Sequence, residues 1–192
     1  MTGDDLGPEV VLVPVKAFAQ AKLRLAPALL PPEREALARH MGERVLAAAA
    51  PLPTAVVCDD SAVAAWARAL GAFVLWTPGQ GLNGAVETGV RRLAELSVER
   101  ATVAHADLPM ATSLSWLGAF QGVTLVPDRR RDGTNVISVP VSAGFRFSYG
   151  PRSFDRHQAE ATRLGLPVRV VHEPSLALDI DEPGDLAALR PA

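Results

Sequence analysis

An α/β fold, with a mostly parallel sheet and helices on both of its faces, is what this sequence predicts, and two features predict it. Short apolar runs rich in Val, Leu and Ala alternate with longer segments of helical period from Val10 to the C-terminus. That alternation is the signature of strand–helix–strand crossovers, which are right-handed and cover both faces of a parallel sheet. The 192 residues are 48% hydrophobic and 21% charged, and they hold no internal repeat, low-complexity tract or long linker. A chain of this length suits one domain with a substantial core.

The elements follow in order. "VVLVPV" (10–15) reads as a buried strand, and "PPEREALARHMGERVLAAAA" (31–50) as a helix, with prolines at its start and glutamates in its first turns. "TAVVCDD" (54–60) is a second strand, followed by the helix "SAVAAWARALG" (61–71), with Ser61 at its N-cap and Gly71 at its C-cap. "AFVLWT" (72–77) makes a third strand, and the loop "PGQGLNG" leads into the helix "AVETGVRRLAEL" (85–96). "RATVAHADLP" (100–109), "GVTLVPD" (122–128), "GTNVISVP" (133–140) and "PVRVVHE" (167–173) read as strands. The helices "SFDRHQAEATRLG" (153–165) and "EPGDLAALR" (182–190) complete the set.

Composition excludes several classes. A net charge of -2 and a pI near 6.1 argue against a protein that coats nucleic acid. The single cysteine, Cys58, rules out an intrachain disulfide framework and a cysteine-cluster metal site, and its apolar setting predicts a buried, inert thiol. No uninterrupted apolar stretch approaches the roughly 20 residues that span a bilayer. "MTGDDLGPE" lacks the apolar segment of a signal peptide. The expected compartment is the cytoplasm.

Ligands of such sheets collect at the carboxyl ends of the strands, and Lys16, Asp59, Asp60 and Asp107 all fall at or just beyond predicted strand ends. Lys16, Lys22 and Arg24 lie within nine residues with no acidic residue among them. They are surface charges or, given their place after the first strand, a phosphate-binding loop. Neither G-x-x-x-x-G-K-[ST] nor G-x-G-x-x-G occurs, so a triphosphate here would be held by side chains. Asp107 is a turn former or a magnesium ligand, and Asp179 and Asp181 alternate in "LDID" so that both side chains point the same way. Like charges on one face repel unless a cation lies between them. Asn83, among loop glycines, is a helix N-cap or an amide that reads a base or ribose edge. Thr134, Gly150 and Ser153 sit on glycine turns, with Arg152 and His157 near. Ser153 reads as the N-cap of a helix whose free N–H groups favour a phosphorylated acid, and His157 as an exposed helical histidine. No Ser-His-Asp or Cys-His arrangement suggests covalent catalysis.

Taken in order, "VPVK", "AKLRLAP", "GLNGAV", "ADLP", "GTN", "YGPRSFDRH" and "DIDEPGDL" resemble the 2-phospho-L-lactate / phosphoenolpyruvate guanylyltransferase family of coenzyme F-420 biosynthesis, from Val10 to Leu189. The resemblance implies a single nucleotidyltransferase domain over residues 1–192, with a Rossmann-like sheet similar to molybdenum-cofactor guanylyltransferase and an acceptor-binding hairpin insertion at 129–153. It implies transfer of GMP from GTP to phosphoenolpyruvate, 2-phospho-L-lactate or 3-phosphoglycerate, with release of pyrophosphate and with Mg²⁺ as cofactor. By position, Lys16, Lys22 and Arg24 match the triphosphate loop, and Asn83 the guanosine side. Asp107, Asp179 and Asp181 match the magnesium carboxylates, and Lys22, Arg24 and Asp107 the catalytic set. Thr134, Gly150 and Ser153 match the acceptor positions. Neither nucleic acid nor membrane is expected as a partner, and a homodimer is open. Two stretches depart from the family pattern: "RRRDGTN" carries three arginines, Arg129 to Arg131, which are a solvated loop or suit a more anionic acceptor, and "AHADLP" carries His105 and Ala106. The competing classes are a sugar-1-phosphate or molybdopterin nucleotidyltransferase and a non-catalytic nucleotide-binding regulatory domain. The first would open on a glycine-rich loop that this chain lacks.

Overall fold

Along the first strand, successive residues enter different cores. In β1 (Glu9–Pro14), Val10 and Leu12 join one apolar cluster, while Val11 and Val13 join another. A strand covered on both faces needs such an unbroken apolar run, which is why "VVLVPV" does not alternate with polar residues. The computed structural model describes residues 6–189, and β1 lies inside its seven-stranded sheet of order β3-β2-β1-β4-β6-β5-β7. The other strands are β2 (Thr54–Cys58), β3 (Phe73–Trp76), β4 (Arg100–Ala104), β5 (Val123–Pro127), β6 (Thr134–Pro140) and β7 (Val168–Val170). All are mutually parallel except β6, which pairs antiparallel with β4 and with β5.

Helices α1 (Pro31–Ala48) and α2 (Ser61–Ala69) cover one face, burying Val45, Leu46, Val63 and Ala67. The other face is covered by α3 (Gly81–Glu95) and α4 (Ser153–Arg163), through Val86, Val90, Leu93, Phe154 and Ala161. A third, small cluster of Leu25, Met41, Leu178 and Ile180 fastens the loop after β1 and the C-terminal segment to α1. In "LALDIDE" the apolar members turn inward there, so Asp179 and Asp181 turn outward together, as the alternation predicts. Cys58 is buried and has no disulfide, and burial pushes its thiol up, away from the reactive thiolate.

Several boundaries differ from expectation. The strand expected over 100–109 ends at Ala104; His105 still gives its N–H to Asn135, and the chain then turns, leaving Asp107 beyond the sheet. The N-cap of α2 is Asp60, whose carboxylate accepts from Val63 N–H at 2.9 Å, not Ser61. Within the segment 129–153, residues Thr134–Pro140 form β6, which lies between β4 and β5 in the sheet. A short helix α5 (Pro174–Ala177) follows β7, and the last expected helix is a 3-10 turn, Pro183–Leu189. Arg190, its expected last residue, lies outside the described residues. Among the described residues no helix is long and apolar enough to cross a membrane.

Candidate active site

A cleft of about 970 Å³ opens where the carboxyl ends of β1, β2 and β4 meet the amino end of β6. Because β6 runs against its neighbours, its first residue, Thr134, comes to the same sheet edge as the last residues of the parallel strands. One cleft therefore gathers Lys16, Lys22, Arg24, Asp107, Asp179 and Asp181, and also Thr134, Gly150 and Ser153.

The loop after β1 is pinned by buried Phe18 and Leu25, and Lys22 sits between them in the left-handed region at φ 54. Its Nζ donates to Asp107 Oδ2 at 2.5 Å and to Asp181 Oδ1 at 3.2 Å. Arg24 Nη1 reaches Asp181 Oδ2 at 3.3 Å. The two cations differ in setting: the Lys22 side chain is 10% exposed and that of Arg24 72%. Two of the three cations thus have partners, which lie 85 and 159 positions away for Lys22. Lys16 has no ionic partner among the described residues. Burial opposes both charges of the Lys22–Asp107 pair, but their mutual attraction outweighs it. The ammonium is held above its ordinary 10.5 and the carboxyl below its ordinary 3.8.

The expected metal triad takes a different form. Among the described residues no group of three or more His, Cys, Asp or Glu side chains is arranged to hold a metal ion. Asp181 faces Lys22 and Arg24 instead of converging with Asp107 and Asp179 on one point. What is present is two carboxylates, Asp107 and Asp179, that line the same cleft. Asp107 Oδ1 is buried with no hydrogen-bond partner, and His105 Nδ1 stays 3.9 Å away. Burial, and then the charge of Asp107, raise the Asp179 carboxyl above its ordinary value. This donor set fits Mg²⁺, which binds through one or two carboxylates and keeps phosphate and water ligands.

At the other end of the cleft, Thr134 opens β6 and Ser153 opens α4. The Ser153 Oγ accepts from Thr134 N–H at 3.0 Å, and the N-cap of α4 is Arg152 at φ 57. Ser153 is therefore not the cap. The helix does not offer its first amides to an anion either: Ser153 N–H goes to Gly150 O at 3.0 Å and Phe154 N–H to Asp132 O at 3.1 Å. His157, expected on the surface, is fully buried, one turn after Phe154 on the inward face of α4. The irregular segment before α4 gives successive N–H groups to side chains of α3 and α4. Arg146 donates to Glu160 Oε1 (3.0 Å), Phe147 to Glu87 Oε1 (3.1 Å), Ser148 to His157 Nε2 (3.0 Å) and Tyr149 to Asn83 Oδ1 (2.7 Å). Asn83 lies in the first turn of α3, whose N-cap is Gln80, and is not among the residues that line the cleft. It does not cap the helix, and its amide oxygen holds Tyr149.

Two of the three loop arginines are committed to the C-terminal acids: Arg129 to Asp185 at 2.7 Å and Arg130 to Glu182 at 3.2 Å. Sequence reasoning passed over Asp185. Its carboxylate accepts from the N–H groups of Asp181 (3.0 Å) and Glu182 (2.8 Å), which orients the backbone that carries Asp181. Burial works against its charge, but those N–H groups and Arg129 hold it below the ordinary range. The spacing E-P-G-D, a carboxylate three residues past a prospective turn, was the available signal. Tyr149 was likewise missed; it lines the cleft with its hydroxyl buried and unpartnered.

Residues 9–190 match the family model described as "Guanylyl transferase CofC like". The chain is 40% identical over 188 residues to a phosphoenolpyruvate guanylyltransferase of Rubrobacter xylanophilus, covering 93% of this chain and 92% of that protein. It is 36% identical over 189 residues to one of Sphaerobacter thermophilus, covering 94% and 91%. In structure it is similar to a putative nucleotide-diphospho-sugar transferase from Desulfovibrio desulfuricans, with a TM-score of 0.75, coverage of 96% and 87%, and 15% identity. That last likeness concerns the fold. An edge cleft with paired cations and carboxylates, on a chain matched over nearly its whole length, leads to one assignment: the protein is a nucleotidyltransferase enzyme and belongs to the CofC-like guanylyl transferase family.

Proposed function

We propose that this enzyme transfers GMP from GTP to a small phosphorylated three-carbon acid, phosphoenolpyruvate first among them, in the cytoplasm and in the service of coenzyme F-420 biosynthesis. The observation that carries the reading is the single cleft that sets cations, carboxylates and hydroxyls side by side. One phosphate oxygen of the acid forms the new bond to the α-phosphorus of GTP, the bond from that phosphorus to the bridging oxygen breaks, and pyrophosphate leaves with the electron pair. A phosphate is a competent nucleophile at neutral pH, so no general base is required, and the enzyme's work is alignment and charge neutralisation.

Lys22 and Arg24 offset charge on the triphosphate, with Lys16 at the rim of the same loop. Asp107 and Asp179 would hold Mg²⁺, which when bound supplies positive charge shared by both anionic reactants. Asp181 keeps Lys22 and Arg24 in register, and Thr134, Gly150 and Ser153 receive the acid. The experiment is pyrophosphate release with GTP, ATP, CTP and UTP against phosphoenolpyruvate, 2-phospho-L-lactate and 3-phosphoglycerate, with and without Mg²⁺. Release is expected with GTP, greatest with phosphoenolpyruvate, and lost on chelation. Preference for another nucleotide, or no release with any of the acids, would overturn the reading.

A further inference from the structure

We propose that buried His157 is a positioning residue for the acceptor: it makes the Thr134 hydroxyl a hydrogen-bond donor toward the acid's anionic oxygens. The proposal rests on the acceptor reading above and adds to it the device that sets hydroxyl polarity. His157 Nε2 faces the N–H of Ser148 at 3.0 Å, and a ring nitrogen that accepts carries no proton. The neutral imidazole must then carry its proton on Nδ1, which lies 3.0 Å from Thr134 Oγ1. Nδ1–H donates, Thr134 Oγ1 accepts, and the hydroxyl hydrogen of Thr134 is left without a protein acceptor among the described residues. The same logic holds for Ser153, whose Oγ is occupied by Thr134 N–H at 3.0 Å. Both residues line the cleft from buried positions, so an anion seated against that wall would meet two O–H groups. With the opposite tautomer, Thr134 would donate to the ring and turn lone pairs toward the acid, which an anion would repel.

Surroundings keep His157 neutral. Phe145, Phe147 and Tyr149 pack around it, with ring centroids 5.9, 6.3 and 5.0 Å away. Burial first, then His105 from the loop after β4 and Arg156 on its own helix, push its pKa down to about 4, against the opposing charge of Glu160. The ring therefore stays neutral near pH 7, and the Ser148 N–H at Nε2 selects the tautomer. The N–H groups of Ser153 and Phe154 at the start of α4 are already bonded, so neither competes with these hydroxyls for an anion.

The test compares full-length variants by pyrophosphate release and by calorimetric titration with phosphoenolpyruvate. His157→Gln keeps an acceptor for Ser148 and loses the donor to Thr134. The KM for the acid should rise about tenfold, the loss expected of one hydrogen bond, with the KM for GTP within twofold. His157→Asn places an N–H where Nδ1 was and should recover most of the affinity. Thr134→Val keeps the side-chain shape and should match His157→Gln, and the double variant should lose no more than either alone. Should His157→Gln fail to fold, Thr134→Val and His157→Asn carry the same comparison. An unchanged acid KM, equal rises for GTP and acid, or losses that multiply in the double variant would overturn the proposal. Binding of phosphoenolpyruvate that weakens in His157→Gln, with no pyrophosphate released by the wild type, would sink the transfer reading and leave this one standing. A wild-type chain that neither binds nor consumes any of the acids would overturn both.

Discussion

Lys22 and Arg24 are two residues apart and carry the same charge, yet the fold gives them different work. Lys22 is clamped between Asp107 and Asp181 in a side chain only 10% exposed, whereas Arg24 makes one bond at 3.3 Å from a side chain 72% exposed. A sheltered charge acts through less screening than one in solvent. Lys22→Ala should weaken GTP binding by about 1.5–3 kcal/mol, the range for a charged hydrogen bond. Arg24→Ala should cost under about 1 kcal/mol, as exposed ion pairs do. Titration with GTP checks the order, and equal losses would show that the resting ion pairs do not predict the bound state. The residue types were legible in "KAFAQAKLR", because three cations after a first strand have a restricted set of uses. Their partners were not, since Asp107 and Asp181 reach Lys22 only through the fold.

Between elements, the segment from Phe145 to Tyr149 has no regular structure and is nonetheless anchored, because side chains of α3 and α4 stand in for a neighbouring strand. Four consecutive N–H groups, from Arg146 to Tyr149, each find one acceptor on Glu160, Glu87, His157 or Asn83. This satisfies the backbone while leaving Tyr149 and Gly150 on the cleft. Gly150 then turns the chain at φ 112, in the region that favours glycine. Asn83→Ala should strand the Tyr149 N–H and loosen this segment. The loss expected is about 0.5–1.5 kcal/mol in binding of the acid, with GTP affinity within twofold. Paired titrations read it out, and a loss confined to GTP would restore Asn83 to the nucleotide. The loop glycines beside Asn83 suggested a base reader; a helix beginning at Gly81 turned its amide to a segment 66 positions away.

For the whole molecule, the site depends on two apolar layers that hold the sheet edge still. α3 approaches the sheet closely at Gly89, where an added Cβ would lie 2.6 Å from Val57 Cγ1 and 3.0 Å from Leu12 Cδ2. Gly89→Ala should therefore destabilise the fold by about 1–3 kcal/mol, the usual cost of overpacking a tight core. Both KM values should stay near wild type because the added Cβ meets Val57 and Leu12 and none of the charged or hydroxyl-bearing cleft residues. Denaturant unfolding gives the first quantity and steady-state kinetics the second. A variant as stable as the wild type would mean that α3 can lift off the sheet at no cost.

The order of strands and helices, the two-faced burial of β1 and the shared direction of Asp179 and Asp181 all follow from the sequence alone. They rest on periodicity, which is local: an apolar run of period one, a helical stripe, an alternation of acid and aliphatic residues. The antiparallel place of β6, the ion pairs of Lys22, the burial of His157 and the hold of Asn83 on Tyr149 were decided by tertiary structure. Each is a pairing across tens of residues, and hydrogen-bond and charge partners are chosen by distance in space. Spacing along the chain does not encode that distance.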